Sequence, residues 1–357
     1  MESLHRALLN SSWVSLTAVG VATLAVVMGL LSLFVASKNH FPVEGRTVLL
    51  TGASEGMGRS AAIQLAAKGA NVIIVSRNVG RLEETLAEVR AAAKSPSTQR
   101  FHYISADVAE PDYAAAVIAE AIAWNGGAAP DIVWCVAGMS TPMLWAEDGS
   151  VAAARRNMDV NFFGAADMSA AILREWLAPE NASKSPYAEP KHLIFTASVL
   201  ALFAIVGYAP YTPSKWAIRG LADTLAMELN LYPNHPVRVH VVYPATIVSP
   251  GLARENQTKP DITVELEKDE PPETPETVAR RAIAGLEKGQ YFVAVSLLGK
   301  LMQAGIMGGS PRNNWIVDTV LGWFMPVVYF FVLKVMNGQV LGWARKHGHP
   351  STYPKKG

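Results

Sequence analysis

Residues 46–60 read RTVLLTGASEGMGRS, and the order of residue types in them decides the fold. TVLLT is a short β-rich run that breaks at Gly52. Two further glycines, Gly56 and Gly58, follow before the Ala-rich stretch RSAAIQLAAKGA (59–70), which has helical character and stops at Gly69. NVIIVSR (71–77) is a second strand-like run. A strand, a glycine turn and a helix in that order let backbone approach a pyrophosphate and point free N–H groups at it from the helix N-terminus. The glycine spacing is GxxxGxG rather than GxGxxG, so the turn alone leaves room for another α/β protein with a Gly-rich corner.

The alternation continues along the chain. GRLEETLAEVRAAAK (80–94) is an amphipathic helix, and FHYISADV (101–108), DIVWCVAG (131–138), HLIFTAS (192–198) and VRVHVVYP (237–244) repeat the strand signal at helix-length separations. Fully apolar strands alternating with helices imply a parallel sheet covered on both faces, an α/β doubly wound (Rossmann) fold. Residues 257–277, QTKPDITVELEKDEPPETPET, are charged and Pro-rich and read as a mobile loop ahead of the helix ETVARRAIAGLEKG (276–289). The expected division is a membrane anchor and linker over 1–44, one doubly wound domain over 45–296, and an apolar C-terminal segment with a basic tail over 297–357.

The totals agree with lipid contact. Half of the 357 residues are hydrophobic and 17% are charged, below the usual quarter for soluble domains, and the mean hydropathy is +0.18. The net charge of +1 gives no electrostatic case for nucleic acid. A single cysteine, Cys135, excludes an internal disulfide and a Cys-based zinc site, and no metal site is expected. Trp13 to Ala36 carries no charge and is long enough to cross a bilayer core, whereas the apolar part of a cleaved signal peptide is shorter. Arg6 on one side and Lys38 and Arg46 on the other leave its orientation a near tie. Thr319 to Leu333 is a second apolar stretch, interrupted by Pro326 and fenced by Asp318 and Lys334, which suits a re-entrant or interfacial segment. A buried helix is its plainer reading. Lys355 and Lys356 only half match a dilysine retrieval signal.

The second strand selects the cofactor. NAD-binding proteins usually end it in an acidic residue that holds the ribose 2′-hydroxyl. Here it ends Ser76-Arg77, with no carboxylate until Glu83. Arg77, with Arg59 just after the glycine turn, can clamp a 2′-phosphate instead, which favours NADPH.

Taken together, TGASEGMG (51–58), ADV (106–108), VAG (136–138), NFFG (161–164), Ser198, Tyr211-x-x-x-Lys215 and the Pro244–Gly251 turn resemble, in order and over roughly 250 residues, the short-chain dehydrogenase/reductase family. That resemblance implies a catalytic set of Ser198, Tyr211, Lys215 and Asn161, with Asn161 holding a water that links Lys215 to solvent. It implies a cofactor site built from Gly52, Ser54, Glu55, Gly56, Gly58, Arg59, Arg77, Asp107, Val108, Ala137, Gly138, Tyr211, Lys215, Pro244, Ile247 and Ser249, with Asp107 on the adenine amino group. Tyr208 lacks a lysine at the family distance, which leaves Tyr211 as the acid. One departure stands out: Val136 replaces the Asn common in the fourth-strand motif, in a place that supports the cofactor pocket rather than the chemistry.

Within the family, residues 211–232 and 243–251 most resemble membrane-bound members that reduce a long-chain keto-amine lipid. The resemblance therefore implies membrane lipid as surroundings and an endoplasmic reticulum membrane location with the catalytic domain facing the cytosol. Sequons at Asn10, Asn181 and Asn256 would then stay bare. An anchored steroid or fatty-acyl 3-keto reductase and a catalytically silent membrane scaffold are the alternatives, and homo-oligomer formation stays open.

Overall fold

A computed structural model describes residues 38–183, 185 and 189–353. The apolar run at 13–36 and the lysines at 355 and 356 lie outside the described residues.

The described residues form one seven-stranded sheet in the order β3-β2-β1-β4-β5-β6-β7. Its strands are β1 (Thr47–Thr51), β2 (Asn71–Ser76), β3 (Phe101–Ser105), β4 (Ile132–Cys135), β5 (Lys191–Thr196), β6 (Val237–Tyr243) and β7 (Phe292–Ala294). Every neighbouring pair is parallel. Successive strand residues point to opposite faces, so continuous apolar runs serve two cores at once. Leu49, Ile73, Val133 and Leu193 face one cluster. Val48, Leu50, Ile74 and Trp134 face the other. The first face is covered by α3 (Tyr113–Trp124), α5 (Gly164–Trp176) and α6 (Thr212–Glu228). The second is covered by α1 (Gly56–Ala67), α2 (Val79–Ala91) and α9 (Pro275–Glu287). The order in which strands are added reverses between β1 and β4, and the crevice beyond their carboxyl ends is where such sheets bind ligands.

Two sequence expectations are corrected. The stretch 257–277 is not a loop throughout: α7 (Pro250–Thr258) runs into it and α8 (Asp261–Glu267) lies inside it. Part of the charge there is internal rather than solvated. Lys259 is 3% exposed and sits between Glu255 at 2.9 Å and Glu267 at 2.7 Å. The second correction concerns the C-terminal apolar stretch, which belongs to a longer helix. The helix α4 (Ser150–Asn157) precedes α5, α10 (Leu297–Ile306) follows β7, and α11 runs from Trp315 to His347 with Pro326 inside it. Lys334, Asn337 and Gln339 end the apolar run but not the helix. At 33 residues α11 is about 50 Å long. Its most apolar window has mean hydropathy 1.9 and is 6% buried, and by length and composition it is the one helix among the described residues able to cross a membrane.

Hydrogen bonds tie α11 back to the sheet domain. Tyr329 donates to the Met302 carbonyl at 2.6 Å, with its ring against Gly305, where a Cβ would lie 2.1 Å from it. Between α10 and α11, Arg219 of α6 donates to the carbonyls of Ile306 and Met307 and to Ser310 Oγ at 2.6–3.1 Å. Ser310 in turn donates to Asp223 of α6 at 2.6 Å.

Candidate active site

The glycine turn is shaped by contacts that no side chain would allow. Gly52 has φ +65°, and a Cβ on it would stand 2.5 Å from the Ala137 Cα. A Cβ on Gly58 would stand 2.3 Å from the Gly52 carbonyl oxygen. The turn is thus pressed against the end of β4 and α1 against the turn. The N-cap residue of α1, Glu55, makes no capping bond with its side chain, so the first-turn N–H groups face outward as an anion would need. This cradle fits a dinucleotide diphosphate.

The predicted cofactor residues gather around it. Ser54 and Ser76 hydroxyls meet at 2.7 Å, joining the turn to the end of β2. Arg77 pairs with Asp107 at 3.2 Å, and Asp107 also accepts from the Ala109 N–H. Val108 packs on Gly164, where a Cβ would lie 3.0 Å from it. Pro244 accepts from the Val199 N–H at 3.0 Å. Ile247 bridges to Glu273, and Ser249 caps α7 through the Leu252 N–H. Arg59 is turned to Glu88 on α2. Sequence reasoning missed Arg81 and Arg254, which both grip Glu55. Arg81 stands four residues after Arg77, a spacing that could have revealed it; nothing in the sequence pointed to Arg254.

The four catalytic candidates converge beyond β4 and β5. Asn161 is fully buried within a π-helical turn, Met158–Phe163, that links α4 to α5; such turns often mark functional sites. Its Oδ1 accepts from the Met139 N–H at 2.8 Å, and its Nδ2 donates to the Met139 carbonyl and to Ser214 Oγ, both at 2.9 Å. That leaves a water only the second lone pair of Oδ1. Lys215 is 3% exposed and donates from Nζ to the Thr196 carbonyl at 3.1 Å, 5.8 Å from the Tyr211 ring centroid. A Cβ on Gly138 would lie 3.2 Å from both Asn161 Oδ1 and Lys215 Nζ, a tight fit that would press on both side chains.

Burial brings the Lys215 ammonium down to about 8. Burial pushes the Tyr211 phenol up, the Glu255 charge adds to that, and a hydrogen bond with Ser198 works against both. Ser198 sits at the end of β5 and accepts from the Leu200 N–H at 3.2 Å.

Tyr208 has a different task. It is 3% exposed and donates to Glu255 and Glu267, each at 2.7 Å, with its ring 6.0 Å from that of Tyr211. It fastens α7 and α8 over the crevice. At the departure from the family motif, Thr51 Oγ1 accepts from the N–H groups of Val136 and Ala137 at 3.2 and 3.3 Å. The Val136 side chain packs on the second core instead of hydrogen-bonding.

Comparisons with known proteins bear on the family and the fold. The sequence profile described as short chain dehydrogenase matches residues 46–260. The chain is 74% identical over 350 residues to the 3-ketodihydrosphingosine reductase gsl-3 of Neurospora crassa, covering 98% of this chain and 95% of that one. It is 42% identical over 342 residues to the 3-ketodihydrosphingosine reductase ksrA of Aspergillus fumigatus, covering 92% and 93%. A solved short-chain type dehydrogenase/reductase from Mycobacterium ulcerans shares the fold, with a TM-score of 0.58 at 23% identity over 71% of this chain and 89% of that one. A profile match over more than half the chain, joined to these identities, places the protein in the short-chain dehydrogenase family.

Proposed function

We propose that the protein reduces 3-ketodihydrosphingosine, a long-chain 2-amino-3-ketone, to dihydrosphingosine with NADPH. The observation that carries this reading is the placement of Ser198, Tyr211 and Lys215 around one point beyond β5, in a chain 74% identical to a reductase named for that ketone.

The glycine turn, Gly138 and the 244–249 segment would hold NADPH, with Arg77 at its 2′-phosphate, and the bound cofactor would supply hydride to the carbonyl carbon. The chain supplies the rest. Ser198 Oγ donates to the carbonyl oxygen as negative charge grows there. Tyr211 delivers the proton to that oxygen from its phenol. The buried Lys215 ammonium stabilises the phenolate left behind, since a nearby cation favours the charged form. Asn161 holds Met139 and Ser214 in place around Lys215.

Residues 45–296 are read as the reductase unit, with 1–44 and 297–357 as its membrane-facing ends. The exposed apolar surface of α11 supports membrane attachment. An endoplasmic reticulum membrane with the domain in the cytosol suits the supply of NADPH and the lone thiol of Cys135, buried and pushed up to about 12 by that burial. Membranes carrying the protein are expected to oxidise NADPH, followed at 340 nm, when given 3-ketodihydrosphingosine, and NADH more slowly. Oxidation with steroid ketones but not with this lipid would overturn the substrate, and a glycosidase-sensitive form traced to Asn181 would overturn the orientation.

A further inference from the structure

The residues that close over the crevice carry a charge imbalance. Adjacent residues of α7 reach in different directions: Arg254 goes back to Glu55 on the cofactor turn, while Glu255 goes to Tyr208 beside the catalytic tyrosine. Around Tyr208, two carboxylates, Glu255 and Glu267, share one ammonium, Lys259, so the group keeps one negative charge over. Both side-chain oxygens of Glu267 are engaged, Oε1 by Tyr208 and Oε2 by Lys259. Glu255 differs: Tyr208 and Lys259 both meet its Oε1, and its Oε2 stands outside that network.

We propose that Glu255 is the specificity-determining residue that receives the protonated amine of the substrate. This rests on the reading of a 2-amino-3-ketone as substrate. In such a molecule the amine and the carbonyl sit on adjacent carbons, so the ammonium arrives wherever Tyr211 and Ser198 hold the oxygen. The cation there, Lys215, repels it. A carboxylate of opposite sign is then needed on the open side of the crevice, and Glu255, one tyrosine ring away from Tyr211, is placed to supply it. Its charge is felt at the Tyr211 phenol, which locates it within electrostatic reach of the reacting oxygen. A charge-assisted hydrogen bond in a partly buried site is roughly twice as strong as a neutral one, so the contact separates an amino ketone from a plain ketone of equal length.

The test compares 3-ketodihydrosphingosine with its 2-deamino ketone in the full-length, membrane-bound protein, wild type against Glu255→Gln and Glu255→Asp. The ratio of kcat/KM between the two ketones, taken within one preparation, cancels any loss of folded protein. The wild type is expected to prefer the amino ketone, Glu255→Gln to lower that ratio about tenfold or more, mainly through KM, and Glu255→Asp to restore part of it. An unchanged ratio in Glu255→Gln, whether both activities fall together or neither falls, would overturn the assignment and leave Glu255 as a fastener of α7. A wild type that reduces neither ketone would instead overturn the substrate reading and the assignment with it.

Discussion

β1 and α11 carry the same kinds of side chain and treat them in opposite ways. Val48, Leu49 and Leu50 of β1 are wholly buried, sealed between two helical layers. On α11, Trp323, Phe330 and Phe331 are 68%, 61% and 60% exposed, and of the helix's apolar residues only Met325 is buried. Apolar sequence alone does not say which outcome follows. In the sheet, the protein supplies its own apolar surroundings; on α11 it leaves them to whatever the helix meets. The catalytic candidates gather in the first region, at the carboxyl ends of buried strands, and none lies in the second.

The sharpest way to break this division is Tyr211→Phe. Loss of the proton donor is expected to lower kcat by roughly 10²–10⁴-fold while NADPH binding, read by fluorescence titration, and the membrane fraction are preserved; substantial remaining turnover would mean the acid lies elsewhere. Leu50→Ala comes next. It should cost about 2–5 kcal/mol of stability through lost burial and a cavity, measured by denaturant unfolding in detergent. Lys215→Met is expected to abolish activity yet raise stability near neutral pH, on the order of 2 kcal/mol. The folded-state value of this lysine, about 8, lies below its ordinary 10.5, so the unfolded chain binds the extra proton between them and the wild type gains stability as pH rises through that window. The advantage of the variant should therefore be full below about pH 8 and shrink toward pH 10.5; a gap that is constant with pH would mean that Lys215 is not held in a desolvated site. Tyr208→Phe, which strips a donor from two carboxylates, should cost about 1–3 kcal/mol and change kcat far less than Tyr211→Phe. Smallest of all is Phe330→Ser, expected to move detergent unfolding by no more than about 0.5 kcal/mol, in contrast to Leu50→Ala.

The same contrast explains what could be read from the sequence. Six strands were legible because each is a short β-rich run, mostly apolar, set off by turn residues, and the sheet's parallel layout followed from their separations. β7 was not, because three residues, Phe292–Ala294, give no pattern. The helix at Asp261–Glu267 was hidden because its charges resemble those of a solvated loop, and only the contacts with Lys259 and Tyr208 show that Glu267 faces inward. The spacing to Lys215 and Ser198 singled out Tyr211 as the candidate, and the structure gives Tyr208 an occupation of its own. Arg254 and Glu255 were beyond reach, since their partners Glu55 and Tyr208 lie 199 and 47 residues away along the chain.

The joint at Arg219 has a mechanical consequence. Arg219 and Asp223 belong to the helix that begins beside Tyr211 and carries Lys215, and they grip the short connector through which α11 leaves the domain. A slack tether would let the crevice ride at any height above the medium that takes up α11. With three carbonyl and hydroxyl acceptors held by one guanidinium, the position of α11 is coupled to that of the helix that carries Lys215, so a shift of one is expected to be felt at the other.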